Sequence, residues 1–269
     1  MRRRRILRLN LKATALLFPV LCCALAAPVA QSQTNKVEVL KEATQSYYGL
    51  RKSGLIEFQA RVTPTWEVAV KNIESNPEAL KLLNGLKFTM LLGADDAVTV
   101  NHEVTIPAPN AKAEEGFKQI FSGLEQMLSG FFMTWNLFML NNPFPSADRE
   151  YQVKDLGNTY LLTYKETDAD VAITMTKSFS ITELKVVTPE FSSSIMPQLT
   201  KTEKGYVLSG YAANYLPAKG PGKVELNIQL DYQDVNGLKL PQRLRAHSVL
   251  DGQPTETELI FSDYRVKAR

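Results

Sequence analysis

Two hydrophobic periods alternate along this chain, and the points where they change mark its elements. From Val37 to Lys52, Val39, Leu40, Ala43, Tyr47 and Leu50 recur at helical spacing and Gly54 stops them, which predicts an amphipathic helix. The period then drops to two. Ile56, Phe58, Ala60 and Val62 alternate with Glu57, Gln59 and Arg61, the pattern of a half-buried strand. A short helix is predicted around Pro77 to Leu83. Phe88, Met90 and Leu92 run into the turn Gly93-Ala-Asp-Asp96, and Val98, Val100, Val104 and Ile106 return on one face.

Ala111 to Leu140 stands apart. Phe117, Phe121, Leu124, Met127, Leu128, Phe131, Phe132 and Trp135 fall on one helix face, with Glu115, Lys118, Ser122, Glu125 and Ser129 between them. From Gly130 to Leu140 the polar face disappears. That stretch is far shorter than the ~20 apolar residues of a membrane span, so it must be buried elsewhere.

From Tyr151 onward the chain reads as strands. Val171, Ile173 and Met175 alternate, as do Val224, Leu226, Ile228, Leu230 and Tyr232, and then Leu240, Leu244, Ala246, Leu250, Leu259 and Phe261 continue. Asp155-Leu-Gly-Asn158, Asp234-Val-Asn-Gly237 and Asp251-Gly252 are hairpin-type turns. Clean alternation means one wet and one dry face, the mark of antiparallel pairing. The class is therefore α+β: a few strands, a long apolar helix, then a meander of about seven strands. A curved antiparallel sheet, closed only in part and with helices against its concave side, would bury every one of these faces.

The first 26 residues read as an export signal. Arg2 to Arg5, Arg8 and Lys12 make a basic start without acids, Leu16 to Leu25 an apolar run, and Ala24-Leu25-Ala26 supplies the small residues a signal peptidase needs. Cleavage near Ala26 leaves one domain, 27–269, expected in the periplasm. An ordinary Sec signal is favoured over the twin-arginine pattern that Arg3-Arg4-Arg5-Ile6-Leu7-Arg8 resembles. Neither Cys22 nor Cys23 follows a good lipoprotein box, so the exported chain is expected to hold no cysteine, disulfide or thiol chemistry. The signal carries six of the basic residues. Its loss leaves 25 Lys and Arg against 28 Asp and Glu, and the net charge goes from +3 to −3. Such a mixed, nearly neutral surface gives no electrostatic case for nucleic acid.

Candidate chemistry is sparse. His102 and His247 are the two histidines, and neither stands at a metal-ligand spacing. Asp95-Asp96 and Asp168/Asp170 lie in turns, where Asp bonds its own backbone, and Glu114-Glu115 opens the long helix, where negative charge suits the dipole. Nucleophile elbows, phosphate loops and dinucleotide fingerprints are absent from the sequence. Arg51, Arg61, Arg243 and Arg245 are candidate polar anchors. The expectation is a non-enzymatic protein without metal or cofactor.

Gly237-Leu-Lys-Leu-Pro-Gln-Arg-Leu-Arg245 with Thr255-Glu-Thr-Glu-Leu-Ile-Phe-Ser-Asp-Tyr-Arg-Val266 resembles the C-terminal end of LolA/LolB-like periplasmic proteins. The order of signal, helix with Tyr47-Tyr48-Gly49-Leu50, and strand is also similar. The resemblance implies one antiparallel sheet bent into an unclosed β-barrel, lidded by helices over an apolar cavity for acyl chains. Members carry lipoproteins to the outer membrane or bind lipids. The 111–140 helix is larger than a minimal lid needs, and the family's ligand-contacting residues do not map onto numbered positions here.

The leading expectation is thus a hydrophobic cavity holding a lipid or acylated lipoprotein, with transient membrane contact, in a monomer. Its lining would come from Phe117, Phe121, Leu124, Met127, Leu128, Phe131, Phe132 and Trp135. Met and aromatic side chains adapt to flexible apolar ligands. The same eight residues would serve equally as plain core. The alternative class is an envelope protein-interaction or stress-sensing module without a lipid. A hydrolase would require two of the acids to meet in a polar cleft.

Overall fold

The computed structural model describes residues 35–70 and 72–269, so the export signal expected over the first 26 residues lies outside the described residues. Twelve strands form one antiparallel sheet: β1 (Leu55–Pro64), β2 (Leu86–Leu92), β3 (Val98–Val104), β4 (Tyr151–Asp155), β5 (Thr159–Lys165), β6 (Asp170–Thr176), β7 (Ile181–Val187), β8 (Phe191–Thr202), β9 (Gly205–Pro217), β10 (Val224–Val235), β11 (Leu238–Leu250) and β12 (Gln253–Ala268). The helices are α1 (Lys36–Gln45), α2 (Trp66–Ala69), α3 (Pro77–Asn84) and α4 (Ala111–Trp135). In space the strands run β3-β2-β1-β12-β11-β10-β9-β8-β7-β6-β5-β4. The sheet does not close, because β3 and β4 are its two free edges. The segment joining those edges contains α4, so the chain must cross the opening between them. This is the α+β unclosed barrel with a helical lid that the alternation predicted.

Turn chemistry sets the hairpins. Asp234 Oδ1 accepts the Gly237 N–H at 2.7 Å, with Asn236 and Gly237 both at positive φ, and Asp251 and Gly252 repeat that geometry. Two left-handed residues give the turn the twist its flanking strands need. The prolines also fall where a strand can spare a donor: β7 pairs with β8 only as far as Ile195, two residues before Pro197.

One face of the sheet is dry. Phe58, Ala60 and Val62 on β1, Leu162 on β5, Ile173 on β6, and Leu244, Leu259 and Phe261 on β11 and β12 are buried, while their alternating neighbours face water. All the buried apolar residues form one cluster.

Two expectations need revision. The N-terminal helix stops at Gln45, seven residues before its predicted end. Beyond it Tyr47 makes a parallel bridge with Tyr206, and the Tyr206 N–H donates to Ser46 O at 2.8 Å. The Tyr47 hydroxyl donates to Phe179 O at 3.0 Å and accepts the Ile181 N–H at 2.9 Å. Tyr47 and Leu50 kept a helical spacing because both are buried, here in a plug against β9. Gly205 permits this approach: its φ is +112°, and a Cβ there would stand 2.7 Å from Ser46 O. The C-terminal meander has nine strands rather than about seven, since Ser-rich β8 lacks a full apolar alternation.

Candidate functional site

α4 crosses the dry face diagonally. Asn110 caps its start, accepting the Ala113 N–H at 3.0 Å. Phe121 stacks on His102 of β3, ring centroids 3.8 Å apart, and meets Phe88 of β2 edge-on at 5.9 Å. A little over three turns later Phe132 meets Phe58 of β1 at 6.4 Å and Phe261 of β12 at 6.2 Å. Trp135 meets Phe58 at 6.3 Å and donates Nε1–H to the Tyr232 hydroxyl of β10 at 3.1 Å. That hydroxyl donates in turn to Leu208 O of β9 at 2.6 Å. Burial pushes the Tyr232 hydroxyl far above its usual pKa, so it remains a donor. The Tyr211 hydroxyl approaches Thr134 without reaching hydrogen-bond geometry, which leaves Thr134 Oγ1 buried and unpaired.

The eight predicted lining residues therefore share one face, and that face meets the sheet. Leu128, Phe132 and Trp135 are fully buried, Phe117, Leu124 and Phe131 nearly so, and Phe121 and Met127 half-buried. Phe117 and Phe121 lie together by β2 and β3, while Phe132 and Trp135 lie farther along under β1, β12 and β10. The side chains touch apolar sheet residues directly. Five surface clefts of 290 to 730 Å³ lie elsewhere, and none of the five is lined by any of the eight.

The far end of α4 is fastened by polar groups. After Trp135 the helix widens into a buried π-helical turn, Asn136–Leu140. Asn136 Nδ2 donates to Asp96 O at 3.2 Å and Asn141 Nδ2 to Asp96 Oδ2 at 3.0 Å. Arg51 pairs with the same Asp96 carboxylate and donates to Leu55 O at 3.1 Å and Gly93 O at 2.8 Å. Asp96 thus joins the β2–β3 turn, the N-terminal plug and the end of α4. Of the candidate anchors, Arg51 is the one that ties the N-terminal plug to the β2–β3 turn, while Arg61 and Arg245 act between neighbouring strands. Arg61 pairs with Asp263 on the surface, Arg245 with Asp231 and Glu258, and Arg243 Nε is buried without a partner.

Along one rim of the dry face, α4 leaves a strip less covered. Tyr151, Tyr164, Val171, Val186, Ser193, Tyr215, Val224 and Leu250 pair directly, strand to strand, across β4 to β11. No charge interrupts this row. Tyr164, Val186, Tyr215 and Val224 are half-buried and Leu250 is 52% exposed. At ~4.8 Å per strand the row is about 34 Å long. Behind its β4 end, a cleft of about 730 Å³ lies on the opposite, wet face of the sheet, lined by Gln152, Thr163, Lys165, Asp170, Ala172 and Lys185. On the row's own side a second cleft of about 600 Å³, walled by Val37, Leu40, Phe144 and Pro145, reaches Tyr151. Burial raises the Tyr164 hydroxyl to about 12.

No family model, curated protein or solved structure matches the chain.

Several of the other candidate groups have structural partners. Asp95 Oδ1 accepts the Ala97 N–H at 3.1 Å, Asp170 pairs with Lys165 at 3.2 Å, and Glu114 pairs with Lys118 at 3.2 Å. Exposed His247 lies 3.6 Å from Glu256. Among the described residues no three His, Cys, Asp or Glu side chains gather as metal ligands, and no helix is long and apolar enough to cross a membrane. The uncharged row and the Asp96 fastening were not anticipated from the sequence. The row's only sequence signal is a Tyr or Val near one end of each of several strands.

Proposed function

We propose that this protein is a periplasmic, non-enzymatic binding protein that holds the acyl chain of a lipid or lipidated ligand, in keeping with the LolA/LolB resemblance. The observation that carries the proposal is the uncharged rim row, which starts at Tyr151 beside the 600 Å³ cleft walled by Val37, Leu40 and Phe144. An acyl chain laid along it would remove apolar surface from water on both partners, worth about 0.8 kcal/mol per methylene before ordering costs. The row alone is shallow. Full burial of a chain requires α4 to lift from the sheet and exchange its own aromatic contacts for those of the ligand. Its start, over β3, is the part free to lift, because the fastening to Asp96 is at its other end.

The test uses Trp135 as the reporter in a Trp66→Phe background, where it is the sole tryptophan. Titration with a nitroxide-labelled C16 fatty acid should quench it at micromolar concentration, and Val224→Asp, which puts a charge in mid-row, should abolish quenching in a folded protein. Unchanged fluorescence at saturating fatty acid would overturn the proposal. The envelope-partner alternative is favoured by a different feature, the bare edge of β3.

A further inference from the structure

The two edges of the sheet are not alike. At β4 the Lys36 ammonium reaches Tyr151 O at 3.4 Å and lies over the Tyr151 ring, so α1 shields that edge. At β3 nothing comparable happens. Thr105 N donates to Gly85 O at 2.9 Å and Gly93 N to Ala97 O at 2.9 Å, one pair at each end of the β2–β3 ladder. In an antiparallel ladder bonded pairs recur every second residue. Thr99, Asn101 and Glu103 therefore bond β2, while the N–H and C=O groups of Val98, Val100, His102 and Val104 point outward. Among the described residues no hydrogen bond reaches these four donors and four acceptors.

Exposed edges are usually blunted by lysine, proline, a bulge or a covering segment. Val98–Val104 has no lysine, no proline and no shift in its pairing with β2. Its dry-side residues are Val98, Val100, His102 and Val104, and Phe121 of α4 stands over His102 as the start of a roof. A second copy of the chain is a poor occupant. Seven residues make an edge ~24 Å long and ~10 Å deep, hiding roughly 500 Å² in total if two copies paired through it alone. A stable interface between folded chains needs about 1,000 Å² or more. An extended peptide has no such requirement, because main-chain hydrogen bonds hold it and alternate side chains select it.

We infer that the edge of β3 is a strand-addition site for an extended peptide segment of another protein. The segment would run antiparallel to β3, with apolar residues at alternate positions beneath α4. A basic residue would suit the wet side beside Glu103. This inference stands apart from lipid binding, and the failure of either leaves the other intact.

The test is amide hydrogen exchange of the full protein with a capped octapeptide alternating valine with threonine or lysine. Exchange should slow about tenfold or more at Val98, Val100, His102 and Val104, with Thr99, Asn101 and Glu103 unchanged. Val100→Pro removes one outward N–H and no bond to β2, so it should keep the fold and lose the protection. Should that variant not fold, the pair Val98→Lys and Val104→Lys should produce the same loss. Unaltered exchange at millimolar peptide, protection centred elsewhere, or full protection in Val100→Pro would overturn the inference. Concentration-dependent dimerisation that protects the same four amides without peptide would overturn the assigned partner in favour of a second copy.

Discussion

Truncating Trp135 tests whether packing or polar contact holds α4 to the sheet. The indole is fully buried and meets Phe132 at 5.3 Å and Phe58 at 6.3 Å, both near-perpendicular, and it makes one hydrogen bond, to Tyr232. Trp135→Ala deletes all of this and leaves a cavity between α4, β1 and β10, for which a loss of about 3–5 kcal/mol is expected. Trp135→Phe keeps most of the ring contact and removes the indole N–H. Tyr232 still donates to Leu208 O, so only a donor to its hydroxyl is lost, about 1 kcal/mol plus the smaller ring's share of contact. Urea unfolding followed by circular dichroism, with slopes compared, measures both. The alanine variant should also take up an apolar dye where the aromatic cluster has loosened. Equal losses in the two variants, or a loss under about 1 kcal/mol for alanine, would refute the idea that aromatic packing holds the helix down.

Other consequences are equally specific. Tyr47, Tyr211, Tyr232 and Tyr264 are pushed well above the usual tyrosine range by burial, and Tyr164 to about 12. Their stabilisation is complete below the unfolded value near 10 and is lost as pH rises through the folded values, at about 1.4 kcal/mol per pH unit for each buried tyrosine. Melting temperature should fall steeply above pH ~10 together with tyrosinate absorbance, and a flat profile to pH ~12 would contradict this. Gly205→Ala forces a Cβ against Ser46 O at a positive φ and should cost about 2–4 kcal/mol in thermal unfolding, whereas Gly157→Ala, in open space at a similar φ, should cost only about 1. Arg51→Met strips donors from Leu55 O and Gly93 O and frees Asp96. A loss of about 2–3 kcal/mol and faster amide exchange through the Asn136–Leu140 turn should follow, and unaltered exchange there would separate Arg51 from the fastening of α4.

The sheet was legible because its alternation is local: each of β1, β10, β11 and β12 declares its dry face in its own residues. The long helix was legible for the same reason, through the spacing from Phe117 to Trp135. What it packs against was not legible, since one apolar stripe suits an empty cavity and a filled one equally. That the stripe meets Phe58, Phe88 and Phe261 follows from the order of strands, in which β3 and β4 end at opposite edges. The plug at Tyr47–Leu50 passed for helix because burial alone copied the helical period. The Asp96 fastening joins residues 45 positions apart and has no local signature. The rim row is likewise a property of register, assembled from one residue on each of eight strands.

Native mass spectrometry of the protein recovered from its own cells, followed by organic extraction, tests the central claim most directly. Acyl-chain binding predicts an added mass that extracts as lipid and returns when fatty acid or lipopeptide is supplied to the stripped protein. A bare protein mass that neither ligand shifts would mean that α4 permanently fills the sheet and that the protein holds no lipid.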